Sequence, residues 1–126
     1  MKLIVVKGNP NSGKTTSIRL VYDMLLYFGA EIEKPRSSGK TYTDFDTELL
    51  YKEKRIAISS AGDVLKNIQK TVSDHDGCDI LITASRNFRR SSLDRICSDY
   101  DVVYIKKEKR GDKENIATAK EVLQHI

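Results

Sequence analysis

The octapeptide GNPNSGKT at residues 8–15 constrains the chain more than any other feature, because it joins two segments of opposite periodicity. Before it, residues 2–7 (KLIVVK) form a short apolar run bounded by Gly8 and Pro10, which predicts a buried strand of a parallel sheet. After it, Ile18, Val21, Leu25 and Phe28 recur at i, i+3, i+7 and i+10, so residues 13–28 predict a helix with one apolar face. Gly29 stands where such a helix commonly ends. The opening unit is therefore strand, glycine loop, helix.

The rest of the chain continues the alternation. Residues 31–40 contain Pro35, Ser37, Ser38 and Gly39 with almost no apolar side chain, and predict an exposed loop. Residues 41–51 and 55–60 lean to β structure and predict a hairpin through Lys52, Glu53 and Lys54. Asp63 is placed to cap a helix carrying Val64, Leu65, Ile68 and Val72, which ends near the turn at residues 74–77. A strand at residues 80–84 follows. Ser91 with Asp94 resembles a capping box for a short helix through Ile96, and residues 102–105 predict another strand. Asp112 opens a last helix whose apolar positions are Ile116, Ala119, Leu123 and Ile126. Strands alternating with helices over 126 residues predict one α/β domain. Ligands of such sheets sit beyond the carboxyl ends of the strands. Gly8, residues 60–63, residues 85–90 and the segment from Lys106 onward all follow strands and are expected to meet there.

Residues 8–15 match G-x-x-x-x-G-K-[ST] in full, in the strand-to-helix context the pattern requires. Gly8 and Gly13 let the backbone turn so that N–H groups across Gly8, Asn9, Pro10, Asn11, Ser12 and Gly13 line an anion cradle, proline lacking its own, and the following helix adds its positive end. Lys14 would reach the β- and γ-phosphates, Thr15 would offer a hydroxyl to Mg2+, and Thr16 would contact the α-phosphate. The segment resembles the P-loop NTPase superfamily. The resemblance is specific over residues 2–28 and architectural beyond. It implies a three-layer α/β/α P-loop NTPase fold, with a mostly parallel sheet of about five strands and helices on both faces. It also implies a nucleoside triphosphate bound with Mg2+, and phosphoryl transfer to water or to a second substrate, in the manner of a small nucleotide kinase or a Ras-like GTPase.

Such enzymes add an acid at the end of a hydrophobic strand to hold the magnesium water shell. RIAISSAGD at residues 55–63 is similar to the Ras-like strand that ends in D-x-x-G, but Ser59 stands where the aspartate belongs, while Gly62 matches. Asp63 has two readings, a carboxylate that binds Mg2+ or serves as a base, and a helix cap. Asp44 and Asp46 are alternative acids. After the strand at residues 80–84 the chain reads Ser85, Arg86, Asn87, Phe88 where a guanine-reading N-K-x-D would stand, so ATP is favoured over GTP. Arg86, Arg89 and Arg90 resemble the lid arginines of nucleotide kinases, and their other reading is a solvated patch.

The net charge of +4 comes from 22 basic and 18 acidic residues that are interspersed, which places nucleic acid last among the ligands. The basic run at residues 106–113 reads as a solvated loop. No apolar stretch reaches bilayer length and residues 1–10 turn polar too early for a signal peptide, so no membrane partner and a cytoplasmic location are expected. Cys78 and Cys97 show no metal-ligand spacing and are expected to be reduced and structural, and His75 and His125 are assigned no chemistry. The leading expectation is an NTPase or kinase-like phosphotransferase with a second small-molecule or protein partner. The alternative is a non-catalytic nucleotide-binding switch.

Overall fold

The computed structural model describes residues 1–9, 12–38, 45–60, 65–86, 95 and 100–126. Along the chain these form β1 (Lys2–Gly8), α1 (Lys14–Tyr27), β2 (Glu31–Ser38), β3 (Phe45–Tyr51), β4 (Lys54–Ser59), α2 (Leu65–Asp74), β5 (Ile80–Ser85), β6 (Asp101–Lys107) and α3 (Asp112–Leu123). Of the expected helix at residues 91–96 only Arg95 is among the described residues, and it is helical; the expected capping role of Asp63 lies outside the described residues.

The strands form one sheet in the order β2-β3-β4-β5-β1-β6. β4, β5, β1 and β6 run parallel, whereas β2 pairs antiparallel with β3 and β3 antiparallel with β4. The expected P-loop NTPase fold, with its mostly parallel sheet of about five strands, is thereby corrected: the sheet is mixed and has six strands among the described residues. The sixth strand comes from the segment expected as a loop at residues 31–40. Residues 31–38 are the edge strand β2, paired to β3 through two register shifts. Glu31, Ile32, Glu33 and Lys34 are exposed, so this half of the strand has no buried face to impose apolar alternation on the sequence. Pro35 is tolerated because an edge strand leaves one side of its backbone unpaired. What holds β2 is its ladder to β3, reinforced by the Thr47 hydroxyl donating to the Lys34 carbonyl at 2.7 Å.

The β3–β4 hairpin turns on Lys52 and Glu53, both at positive φ (50° and 64°), the twist that a two-residue hairpin loop demands. In the parallel strands, successive side chains enter opposite cores. Ile4, Ile82 and Ile58 stand side by side and pack with Ile18, Val21 and Leu25 of α1 and with Ala119 and Val122 of α3. Leu3, Leu81 and Ala57 point the other way, against Ile68 and Val72 of α2. Each fully buried isoleucine or leucine contributes roughly 1.5–3 kcal/mol, so these two cores fix the sheet on which the loops sit. The end of α1 follows a left-handed glycine stop: Gly29 has φ +101° and the Ala30 and Gly29 amides donate to the Leu25 and Leu26 carbonyls. Phe28, expected on the buried face, is 55% exposed because the helix has already ended. On α3 the buried face is Asn115, Thr118, Ala119 and Val122, which leaves Ile116 exposed.

Candidate functional site

β1 ends at Gly8 and α1 begins at Lys14, so the connecting loop lies at the carboxyl edge of the parallel strands. Both glycines are set by packing. A Cβ on Gly8 would lie 2.4 Å from the Lys107 carbonyl oxygen and 2.5 Å from Ser12 Oγ, because β6 runs beside the loop. Gly13 has φ +88°, and a Cβ there would lie 2.4 Å from Asn115 Oδ1 on α3. The loop is thus wedged between β6 and the start of α3, with the Ser12 amide donating to the Asn9 carbonyl at 3.2 Å to close the turn.

Lys14 is the first residue of α1 and is buried. Its Nζ folds back over the loop and donates to the carbonyls of Gly8 (2.7 Å) and Asn9 (3.1 Å). α1 has no side-chain cap bond at Gly13 and no acidic residue in its first turn, so no side chain of that turn offsets the positive end that faces the loop. α3 differs, carrying Asp112 and Glu114 in its first turn. Ser12 Oγ is buried and makes no hydrogen bond among the described residues, as does Asn115 Oδ1. Thr15 is half-buried and Thr16 exposed. A buried ammonium, a helix start without a side-chain cap and a hydroxyl without a partner among the described residues are the kinds of group that can receive an anion.

The surroundings differ in part from expectation. The ends of β4, β5, β1 and β6 lie along one edge: Lys7 is level with Ser85 and Lys106, and Ser59 with Thr83. Arg86, at the end of β5, is one residue past the partner of Lys7 and is exposed. Asp63, Arg89, Arg90, Asp44, Pro10 and Asn11 lie outside the described residues. β4, which carries Ser59, is separated from β1 by β5; at about 4.8 Å per strand its end is roughly 10 Å from the loop strand. Asp46 is one strand further away on β3, opposite Ser59, and is engaged by His75, which removes it from the acids that could serve a magnesium ion at Thr15. The Ser59 and Thr83 hydroxyls are buried without hydrogen-bond partners among the described residues. The run at residues 106–113 is not wholly solvated. Lys107 is buried beside Gly8, its pKa lowered by burial against the opposing charge of Glu114, and its ammonium donates to the Lys109 carbonyl.

A second polar cluster lies on the other side of β4. Glu48 and His75 are each 4% exposed. His75 Nδ1 is 2.9 Å from Glu48 Oε2, and its Nε2 is 2.8 and 2.9 Å from the two carboxylate oxygens of Asp46. Lys34 Nζ approaches the same Glu48 oxygen at 3.1 Å. The hydrogen bond to Asp46 raises the His75 pKa above its ordinary value; burial works against this and Glu48 adds to it. Burial would raise the Glu48 carboxyl, but His75 and Lys34 outweigh it and hold the group below its ordinary range. Cys78, a buried free thiol, is pushed up to about 11 by burial, with the Glu48 charge and hydrogen bond adding. Sequence reasoning assigned His75 no chemistry because its partners stand 27 and 29 residues away on β3. A turn histidine preceding a strand gives no local signal for them. Cys97 lies outside the described residues.

No protein-family profile matches the chain, and neither a characterised protein nor a solved structure matches it. No helix among the described residues is long and apolar enough to cross a membrane.

Proposed function

We propose that the chain binds a nucleoside triphosphate, ATP in preference to GTP, together with Mg2+ through Gly8, Asn9, Pro10, Asn11, Ser12, Gly13, Lys14, Thr15 and Thr16, and transfers or hydrolyses its terminal phosphoryl group. The observation that carries this reading is the coincidence, at a full G-x-x-x-x-G-K-T sequence, of an α1 start without a side-chain cap, a buried Lys14 held over the loop and a Ser12 hydroxyl with no partner among the described residues. Mg2+ would be held by Thr15 and phosphate oxygens, with the ion keeping several waters. On triphosphate binding, Lys14 exchanges its bonds to the Gly8 and Asn9 carbonyls for phosphate oxygens, so its positive charge is already in place when the ligand arrives. In the catalytic form of this reading Arg86, Arg89 and Arg90 neutralise charge on the moving phosphoryl group, and Asp63 binds metal water or accepts a proton.

The second reading, binding without turnover as a partner-controlled switch, is favoured by the strand ends. Next to β1, β5 finishes in Thr83, Ala84 and Ser85, and β4 in Ser59, so none of these strand-end positions offers a carboxylate to a metal. Titration calorimetry of the full chain with Mg-ATP and Mg-GTP, followed by a phosphate-release assay, separates the readings. Saturable ATP binding that weakens about a hundredfold in a folded Lys14→Ala variant supports the loop as the site, on the scale of roughly 3 kcal/mol for charge-assisted bonds to phosphate. Equal affinity in parent and variant contradicts it. Binding with no phosphate release selects the switch.

A further inference from the structure

We propose that Glu48, His75 and Cys78 form a site for one divalent transition-metal ion of the zinc class, with Asp46 as the outer carboxylate that orients His75. The site goes beyond the nucleotide reading and is independent of it, since β3 is three strands from β1.

Three side chains from two separated stretches of chain, β3 and the turn between α2 and β5, bring one oxygen, one nitrogen and one sulfur into the core on the α2 side of β4. All three residues are buried, and their ligand atoms lie within 4.8 Å of one another. Tetrahedral zinc, with bonds near 2.0 Å to nitrogen or oxygen and 2.3 Å to sulfur, places its ligands roughly 3.3–3.5 Å apart. Side-chain rotations of about 1 Å therefore close the shell, and the Glu48–His75 pair is already inside it at 2.9 Å.

The donor set selects the ion. A thiolate with an imidazole and a carboxylate suits zinc or cobalt and is unsuited to Mg2+, which takes hard oxygen ligands. The arrangement about His75 is the one that metal-bound histidines adopt, with one ring nitrogen toward the metal and the other bonded to a carboxylate that fixes the ring. Asp46 supplies that carboxylate, and at 40% exposure it stands where the cluster meets solvent. The ion takes the place of the Nδ1 proton of His75 and the thiol proton of Cys78, both released on binding. Lys34 is displaced from Glu48 Oε2; its side chain is 67% exposed and can swing into water. The fourth position is left to water or to the second Glu48 oxygen.

The full chain, stripped with a chelator and titrated with Co2+, tests the site. One equivalent is expected to produce the thiolate-to-cobalt charge-transfer band in the near ultraviolet and the strong visible bands of tetrahedral cobalt, both bleached by one equivalent of Zn2+. Cys78→Ser abolishes the charge-transfer band and weakens binding at least tenfold, while Cys97→Ser retains both. Lys34→Ala strengthens binding severalfold by removing the competing cation. If Cys78→Ser does not fold, alkylation of the parent chain with peptide mapping replaces it: Zn2+ protects Cys78 and leaves Cys97 labelled to the same extent. Absence of stoichiometric uptake by the folded parent, or a charge-transfer band lost with Cys97 instead of Cys78, overturns the proposal.

Discussion

The loop at residues 8–15 and the Glu48–His75–Cys78 cluster both bury ionisable groups, but they are built in opposite ways. The loop is local: within ten residues of Gly8, β1, the turn and the start of α1 supply its backbone amides, Lys14 and Ser12. Among the described residues α1 has no side-chain cap and Ser12 Oγ has no partner. The cluster is non-local, with Glu48 and Asp46 on β3 and His75 and Cys78 beyond α2. Its protonated form is saturated internally, both nitrogens of His75 facing carboxylates. A site poised for an external anion leaves donors open. A site that stabilises the metal-free fold closes them.

The contrast predicts that stability and ligand binding separate between the two regions. The largest effect is expected for His75→Ala in chelator, which leaves buried Glu48 without its closest partner and should cost about 3–5 kcal/mol. Nucleotide affinity of the folded variant should be unchanged. His75, with a raised folded pKa, contributes stability that is full below its ordinary 6.5 and lost as pH rises through the folded value. Glu48, with a lowered one, contributes stability that is full above its ordinary 4.5 and lost as pH falls through the folded value. Denaturant melts across pH should therefore show the widest gap between parent and variant from about 4.5 to 6.5. A gap that keeps widening above neutral pH would contradict the charged form of His75.

Gly13→Ala is intermediate. The left-handed backbone and the approach of Asn115 Oδ1 predict a loss of about 1–3 kcal/mol, with weakened triphosphate binding because the loop must shift. Unchanged stability and affinity would show that the wedge between loop and α3 does not set the loop. The smallest change in stability belongs to Ser12→Ala. Removing a buried hydroxyl that bonds nothing among the described residues should leave stability unchanged or raise it by up to about 1 kcal/mol, while triphosphate affinity falls severalfold. A loss of stability with unaltered affinity would make Ser12 a structural residue and blur the distinction between the two regions.

The same division decided what could be read in advance. β1, α1 and the glycine loop carry their signals within a few residues, and so does the β3–β4 hairpin. β2 could not be read, because an edge strand of polar residues owes its conformation to the neighbouring strand and not to its own alternation. Lys107 looked like one lysine of a solvated run, and only the pairing of β6 with β1 buries it beside Gly8. The spacing of His75 and Cys78 along the chain carries no ligand signal, because their partners arrive through the hairpin that converts a parallel sheet into a mixed one. The strand order also separated Ser59 from the loop by β5, a fact invisible to the D-x-x-G comparison.

The most direct test of the central claim, that the loop at residues 8–15 receives the triphosphate, is an amide NMR titration of the full chain with Mg-ATP. The predicted result is saturable shifts concentrated at Gly8, Asn9, Ser12, Gly13, Lys14, Thr15 and Thr16, the donors around the α1 start, and lost in folded Lys14→Ala. Shifts centred on Glu48, His75 and Cys78, or no shifts at saturating Mg-ATP, would contradict it.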